Sequence, residues 1–345
     1  MADHQRAVGP AATEKIISAA MRKGIRRTFL FSLLITSAAV SAQQIPDTSF
    51  LFPIRQAAYE PGRGPVVFID QAHNNFHTRG GGFSPFCKLL EQDGYRVTSL
   101  DQTLSGIDIL NDCRILVIAN ALNRANARDW VLPTPSAFSK DEIGIIAGWV
   151  KNGGNLFLIA DHMPFAGAAA ELGKAFGFEF LNGFAFTRER GSWPPSTFSA
   201  KDGTLQESPV TVGLKEYKKI DSVSTFTGSS FKAPEEAIPV LSFPGESFSL
   251  EPDTAWSFSS KTPKINLGGY CQGAIREYGK GKIAVFGEAA MFTAQLANGT
   301  VKFGFNSELA PQNAQFTLNL IHWLDGAVPV KPKAVNETGE KIKRQ

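Results

Sequence analysis

Six-residue apolar runs, each followed or closed by a polar side chain, recur along the first half of the chain. They are Pro65–Asp70 (PVVFID), Arg114–Ala119 (RILVIA, then Asn120) and Asn155–Ala160 (NLFLIA, then Asp161). A strand buried on both faces reads as such a run, not as a two-residue alternation. Between the runs the period changes. Ser84–Asp93 has helical spacing and ends at Gly94, and Tyr95–Leu100 is a further short strand. Ser139 followed three residues on by Glu142 is a capping box that opens a helix ending at Asn152, before Gly153-Gly154. Ala166–Phe176 is helical and stops at Gly177.

This alternation predicts an α/β protein: a flavodoxin-like three-layer sandwich with a mostly parallel sheet. From Phe178 to Pro263 the helical period disappears and Ser, Thr, Phe, Pro and Gly dominate, which predicts a β-rich insertion or extension. Ala274–Tyr278 and Lys282–Phe286 flank Gly279-Lys280-Gly281 as a hairpin, and Asn313–Leu324 reads as a closing amphipathic helix. The expected α/β domain spans 61–328, with 43–60 as a linker and 329–345 as a charged, disordered tail.

The N-terminus changes the picture of location. Met21–Ala42 has a basic start (Arg22, Lys23, Arg26, Arg27), an apolar stretch from Thr28 to Val40 and a small-residue cleavage site ending at Ala42. That is the order of a secretory signal peptide, and its apolar part falls short of the ~20 residues that cross a bilayer. The expected product is secreted or periplasmic, with no transmembrane segment once the signal is removed. Residues 1–20 read as an over-long gene start ahead of the true Met21.

Composition adds exclusions. Lys+Arg 35 against Asp+Glu 32 gives a net charge of +3, and part of that excess sits in the signal and tail. A near-neutral body excludes an electrostatic case for nucleic acid. Cys87, Cys113 and Cys271 allow at most one disulfide and form no metal-binding pair; Cys87 and Cys113 read as buried small hydrophobes.

In open parallel sheets ligands bind beyond the carboxyl ends of the strands. The residues there are Asp70, His73, Asn74, Asn75 and His77 after the first run, Asn120 after the next, Asp161 and His162 after NLFLIA, and Glu288 and Gln295 after the hairpin. Asp70, His73, Asp161, His162 and Glu288 are the candidate catalytic groups. Asn74, Asn75, Asn120 and Gln295 are candidates for holding a substrate. Three chemistries fit. His73, His77 and Asp161 offer ligands for a divalent Zn, Mn or Fe ion that would activate water. His162, oriented by a carboxylate, offers metal-free acid/base work. The same amides, imidazoles and neighbouring aromatics offer binding of a small, carbohydrate-like ligand without chemistry. His322 beside Trp323 reads as structural.

The stretches VVFIDQAHNNFH, RILVIANAL, DEIGIIAGWVKNGGNLFLIADH, GKIAVFGEAAMFTAQ and NAQFTLNLIHWL resemble the class I glutamine amidotransferase-like superfamily. More narrowly they resemble a secreted bacterial branch related to GldG-type and ThuA-like domains. The resemblance covers most of residues 60–326 and implies the fold. It also implies a nucleophilic Cys on the turn after a central strand, where this chain has Asp161-His162. Glutamine hydrolysis is thereby excluded. What remains is a hydrolase acting on a small or carbohydrate-like substrate through a His/Asp/Glu site, or else a noncatalytic periplasmic or surface ligand-binding or scaffold domain.

Overall fold

The computed structural model describes residues 44–187, 196–213, 215 and 218–327; the expected signal peptide and charged tail lie outside them. In chain order the strands are β1 (Gln44–Pro46), β2 (Val66–Asp70), β3 (Arg96–Leu100), β4 (Cys113–Ala119), β5 (Asn155–Ile159), β6 (Glu179–Leu181), β7 (Phe184–Phe186), β8 (Ser196–Ser199) and β9 (Ser222–Thr225). There follow β10 (Ser230–Lys232), β11 (Ile238–Ser242), β12 (Phe248–Leu250), β13 (Lys264–Asn266), β14 (Cys271–Tyr278), β15 (Gly281–Phe286), β16 (Ala294–Ala297) and β17 (Val301–Gly304). The helices are α1 (Ser84–Gln92), α2 (Lys140–Lys151), α3 (Phe165–Ala175), the single turn α4 (Pro209–Val212) and α5 (Asn313–Asp325).

The result is a mixed α/β molecule that is richer in strands than the sequence pattern suggests. Its main sheet has nine strands in the order β3-β2-β4-β5-β15-β14-β10-β6, with β11 also on β14. Pairing is parallel from β3 to β15 and antiparallel from β15 to β6. The expected mostly parallel sheet is therefore half antiparallel. The reason lies in the region 178–263, which does not simply sit on the sheet: it supplies β6, β10 and β11 as its far edge. Three smaller sheets, β1-β16-β17, β13-β12-β7 and β8-β9, flank it.

Helices cover both faces. Val67, Ile69, Ile115, Val117, Phe157 and Phe286 pack with Phe86, Leu90, Phe316 and Leu320 of α1 and α5. The alternate residues Leu116, Ile118, Leu156 and Leu158 pack with Ile146, Trp149 and Leu172 of α2 and α3. Adjacent strand residues point to opposite faces, so a run such as LVI loads both cores at once. Each fully buried Leu, Ile or Phe contributes roughly 1.5–3 kcal/mol of transfer free energy, which outweighs the modest helix propensity of the Gly-bearing α2 and α3.

Residues 43–60 are no linker within the described part. Gln44–Pro46 pairs antiparallel with β16, and Phe50, Phe52 and Ile54 pack on Leu89, Phe305 and Leu318. Three apolar side chains at alternate positions bind this stretch to the domain. All three cysteines are free and buried. No helix among the described residues is long and apolar enough to cross a membrane.

Candidate functional site

Parallel register builds the centre of the site. Ile159 of β5 lies opposite Phe286 of β15, and the Ala160 N–H donates to the Phe286 carbonyl at 2.9 Å. Asp161 and Glu288 each stand two residues past that pair, so the two carboxyl groups emerge side by side. Both are buried. Burial, and then the adjacent Asp161 charge, push the Glu288 carboxyl well above the ordinary carboxylate range, although the Ala290 and Met291 N–H groups donate to it at 2.9 and 2.7 Å. Like charges are costly in a dry site, which is why the Asp161 charge adds to burial in raising Glu288.

Around Asp161 the backbone is fixed. The Asp161 N–H donates to Asn120 Oδ1 at 2.9 Å, and Asp161 Oδ1 accepts from the His162 N–H at 2.7 Å. His162 Nδ1 is 2.7 Å from the Met163 carbonyl. A carbonyl can only accept, so Nδ1 carries a hydrogen, and the tautomer this bond selects is the one with its lone pair on Nε2. The imidazole is stacked on Phe184 at 4.5 Å and meets Trp256 edge-on at 4.7 Å.

After β2, by contrast, the polar side chains satisfy one another. His73 Nδ1 lies 2.9 Å from both Asp70 oxygens, and its Nε2 lies 2.9 Å from Glu142 Oε1. Burial alone would lower the His73 pKa, but the hydrogen bonds and charges of Asp70 and Glu142 raise it. With a carboxylate on each nitrogen the ring is an imidazolium that donates twice. Asn75 Nδ2 donates to Asp70 Oδ2 at 2.9 Å, and Asn75 Oδ1 accepts from the His73 N–H at 3.0 Å. Asn74 donates to the Leu122 carbonyl at 3.2 Å. Asn74 and Asn120 adopt left-handed backbones (φ 47 and 51), which Asn tolerates better than other side chains.

The residues expected at one strand edge thus divide into two groups. Asp161 stands beside Glu288, its N–H is bonded to Asn120 and its Oδ1 to the His162 N–H. Asp70, His73 and Asn75 form a separate, internally satisfied network that leaves neither His73 nitrogen for substrate or metal. His77 is buried and stacked on Phe83 at 4.7 Å, with Nδ1 unpartnered and its pKa pushed by burial down to about 3. Gln295 lies in β16 of a different sheet, its Oε1 enclosed without a partner. The expected metal set of His73, His77 and Asp161 is not assembled, and no three His, Cys, Asp or Glu side chains among the described residues are disposed to hold a metal ion. The buried thiols of Cys87 and Cys113 are pushed up to about 12, and that of Cys271 to about 11, which leaves no ready thiolate.

Glu142 is the residue sequence reasoning missed. Its capping-box signature accounts for Oε2, which accepts from the Ser139 N–H and hydroxyl at 3.0 and 2.9 Å. The second oxygen, taken by His73 and by the Leu104 N–H, has no signature in the sequence. Trp130 and Trp256 were also missed, since each sits in a Pro-containing loop without periodicity. A cleft of about 250 Å³ lined by Phe52, Pro53, Arg55, Pro311, Gln312 and Gln315 contains none of the gathered acids and imidazoles. It has no carboxyl, imidazole or thiol group for acid/base work.

The fold and site define a mixed α/β protein carrying an acid pair and an imidazole at the junction of the parallel and antiparallel halves of its sheet. The chain matches no protein-family model and no curated protein sequence. Among solved structures it is similar to the mmIFT52 N-terminal domain, with a TM-score of 0.53 and 13% identity over 75% of this chain and 97% of that one. It is also similar to a ThuA-like protein from Bacteroides uniformis (TM-score 0.43, 12% identity, 79% of this chain and 94% of that one). A β-galactosidase from Bacillus circulans sp. alkalophilus gives a TM-score of 0.39 and 9% identity over 77% of this chain and 32% of that one. At these identities a likeness concerns the fold alone.

Proposed function

We propose that the chain is an exported hydrolase of a small, carbohydrate-like substrate, with Asp161 and Glu288 as its acid/base pair. The observation that carries this is the raised carboxyl of Glu288 beside Asp161 at the sheet junction. In the proposed reaction Glu288 gives its proton to the leaving oxygen as the bond to that oxygen breaks. Asp161 takes a proton from the attacking water, whose oxygen forms the new bond. The His162 Nε2 lone pair accepts a hydrogen bond from a substrate hydroxyl. The strand order β3-β2-β4-β5-β15, with helices on both faces, supports reading this half as a flavodoxin-like sandwich of the amidotransferase-like kind. Export to the periplasm or the medium is inferred from residues 21–42 of the sequence.

A second reading, a noncatalytic ligand-binding domain, is favoured by the network of Asp70, His73, Asn75 and Glu142, which spends its polar groups on itself. Turnover of a panel of 4-nitrophenyl glycosides and esters separates the two. The hydrolase reading expects release of nitrophenol from at least one member and a loss of 100-fold or more in both Asp161→Asn and Glu288→Gln. No release from any member, with ligands still bound, leaves the binding reading standing.

A further inference from the structure

Two loops distant in sequence are sewn together over His162. The Leu132 N–H donates to the Asp253 carbonyl at 2.9 Å, the Ala255 N–H to the Trp130 carbonyl at 2.9 Å, and Val131 bridges Thr254. This short ribbon sets Trp130 and Trp256, both half-buried, beside the imidazole at ring distances of 6.0 and 4.7 Å. Phe184 backs Trp256 at 4.7 Å, and Phe165 backs Trp130 at 5.1 Å. Trp256 itself has a left-handed backbone, φ 66, a conformation that costs a bulky residue free energy and persists where the surroundings enforce it.

The arrangement selects among ligands. A cation cage needs rings disposed around an empty centre; here the space between the two indoles holds the His162 imidazole, with Phe165 against one and Phe184 against the other. Two half-buried indoles beside the polar His162 suit a ring with one apolar face and hydroxyls at its edge. The C–H groups of such a face carry partial positive charge and meet the negative face of the indole.

We propose that Trp130 and Trp256 form a stacking platform for a pyranose ring, with Trp256 the larger contributor, so that the substrate is a glycoside whose ring shows an unbroken C–H face. This rests on the reading of the strand-end site as a ligand site. It names the substrate class and the residues that select it.

The test is calorimetric and fluorescence titration with methyl β-D-glucopyranoside, methyl β-D-galactopyranoside and choline. Wild type is expected to bind at least one pyranoside and not choline. Trp256→Ala should weaken that binding tenfold or more and Trp130→Ala severalfold, while Trp256→Phe, which keeps a ring, stays within about threefold. Melting curves confirm that each variant is folded; should Trp256→Ala unfold, Trp256→Leu takes its place. Failure of both pyranosides to bind, or equal binding by wild type and the folded Ala or Leu variant, overturns the platform. Nitrophenyl ester turnover that needs Asp161 and Glu288 would then still uphold the hydrolase. Conversely, a platform that passes while Glu288→Gln changes no turnover retires the hydrolase and leaves a binding protein.

Discussion

Glu142 Oε1 accepts a hydrogen bond from His73 Nε2 at 2.9 Å, joining the loop after β2 to the first turn of α2. The same carboxylate caps that helix through Ser139 and receives the Leu104 N–H at 3.1 Å. One side chain therefore anchors three segments. Glu142→Ala should cost about 2–4 kcal/mol, since it removes a cap and strands a buried imidazolium. Denaturant melts of Glu142→Ala, His73→Ala and the double variant should give a coupling of about 1–3 kcal/mol. A coupling near zero would mean that the two residues do not act together.

The same contact predicts a pH window. The raised His73 pKa makes its contribution complete below the unfolded value of 6.5 and lost as pH rises through the folded one. Burial works against the Glu142 charge, but bonds from Ser139, His73 and Leu104 lower its pKa. Its contribution is complete above the unfolded 4.5 and lost as pH falls through the folded one. The stability difference between wild type and His73→Ala should therefore be greatest between pH 4.5 and 6.5. A difference that keeps growing toward alkaline pH would contradict the assignment.

His77 acts with the opposite sign. Burial depresses its pKa to about 3, so the stability tied to its neutral form is complete above 6.5 and lost as pH falls toward the folded value. His77→Phe keeps an aromatic ring against Phe83 and removes that loss. Tm measured across acid pH should show the variant gaining on wild type as pH drops. A constant offset would show that His77 is protonated in the native state.

Glu288 offers a third test. Its raised pKa gives a contribution complete below 4.5 and lost as pH rises through the folded value. Glu288→Gln, which cannot ionise, should gain stability relative to wild type on going from about pH 5 to about pH 8, even as any turnover disappears. If wild type and variant keep the same separation over that range, Glu288 is already ionised at the lower pH.

Gly281 opens β15 against the end of α2. A Cβ there would collide with the carbonyl oxygens of Gly154 and Val150, both rigid backbone atoms. Gly281→Ala should lower stability by about 1–3 kcal/mol, read as a fall in Tm. Because it disturbs the start of the strand that leads to Glu288, any turnover should fall with it.

The parallel half of the sheet was legible because burial on both faces writes itself as unbroken apolar runs: PVVFID, RILVIA and NLFLIA each became a strand within a residue or so. The Ser139 box and the hairpin around Gly279 were legible from local chemistry. The antiparallel far edge was not. β6 and β10 are three residues each, too short for any period to appear, and their place is decided by partners far along the chain. The site followed the same division. Asp161 and Glu288 stood at recognisable strand ends, whereas the engagement of His73 with Glu142 and the approach of Trp256 to His162 are tertiary events without a local trace.

β15 is the hinge between the two halves of the sheet, and it is made late. Asp161 is synthesised and can be folded onto β5 long before Gly281–Phe286 exists, yet its partner acid arrives only with that strand. Until that strand is in place the Asp161 carboxyl stands at the end of β5 with no second acid beside it. The pairing of the two acids is thus a property of the assembled sheet, made by residues that lie far apart along the chain.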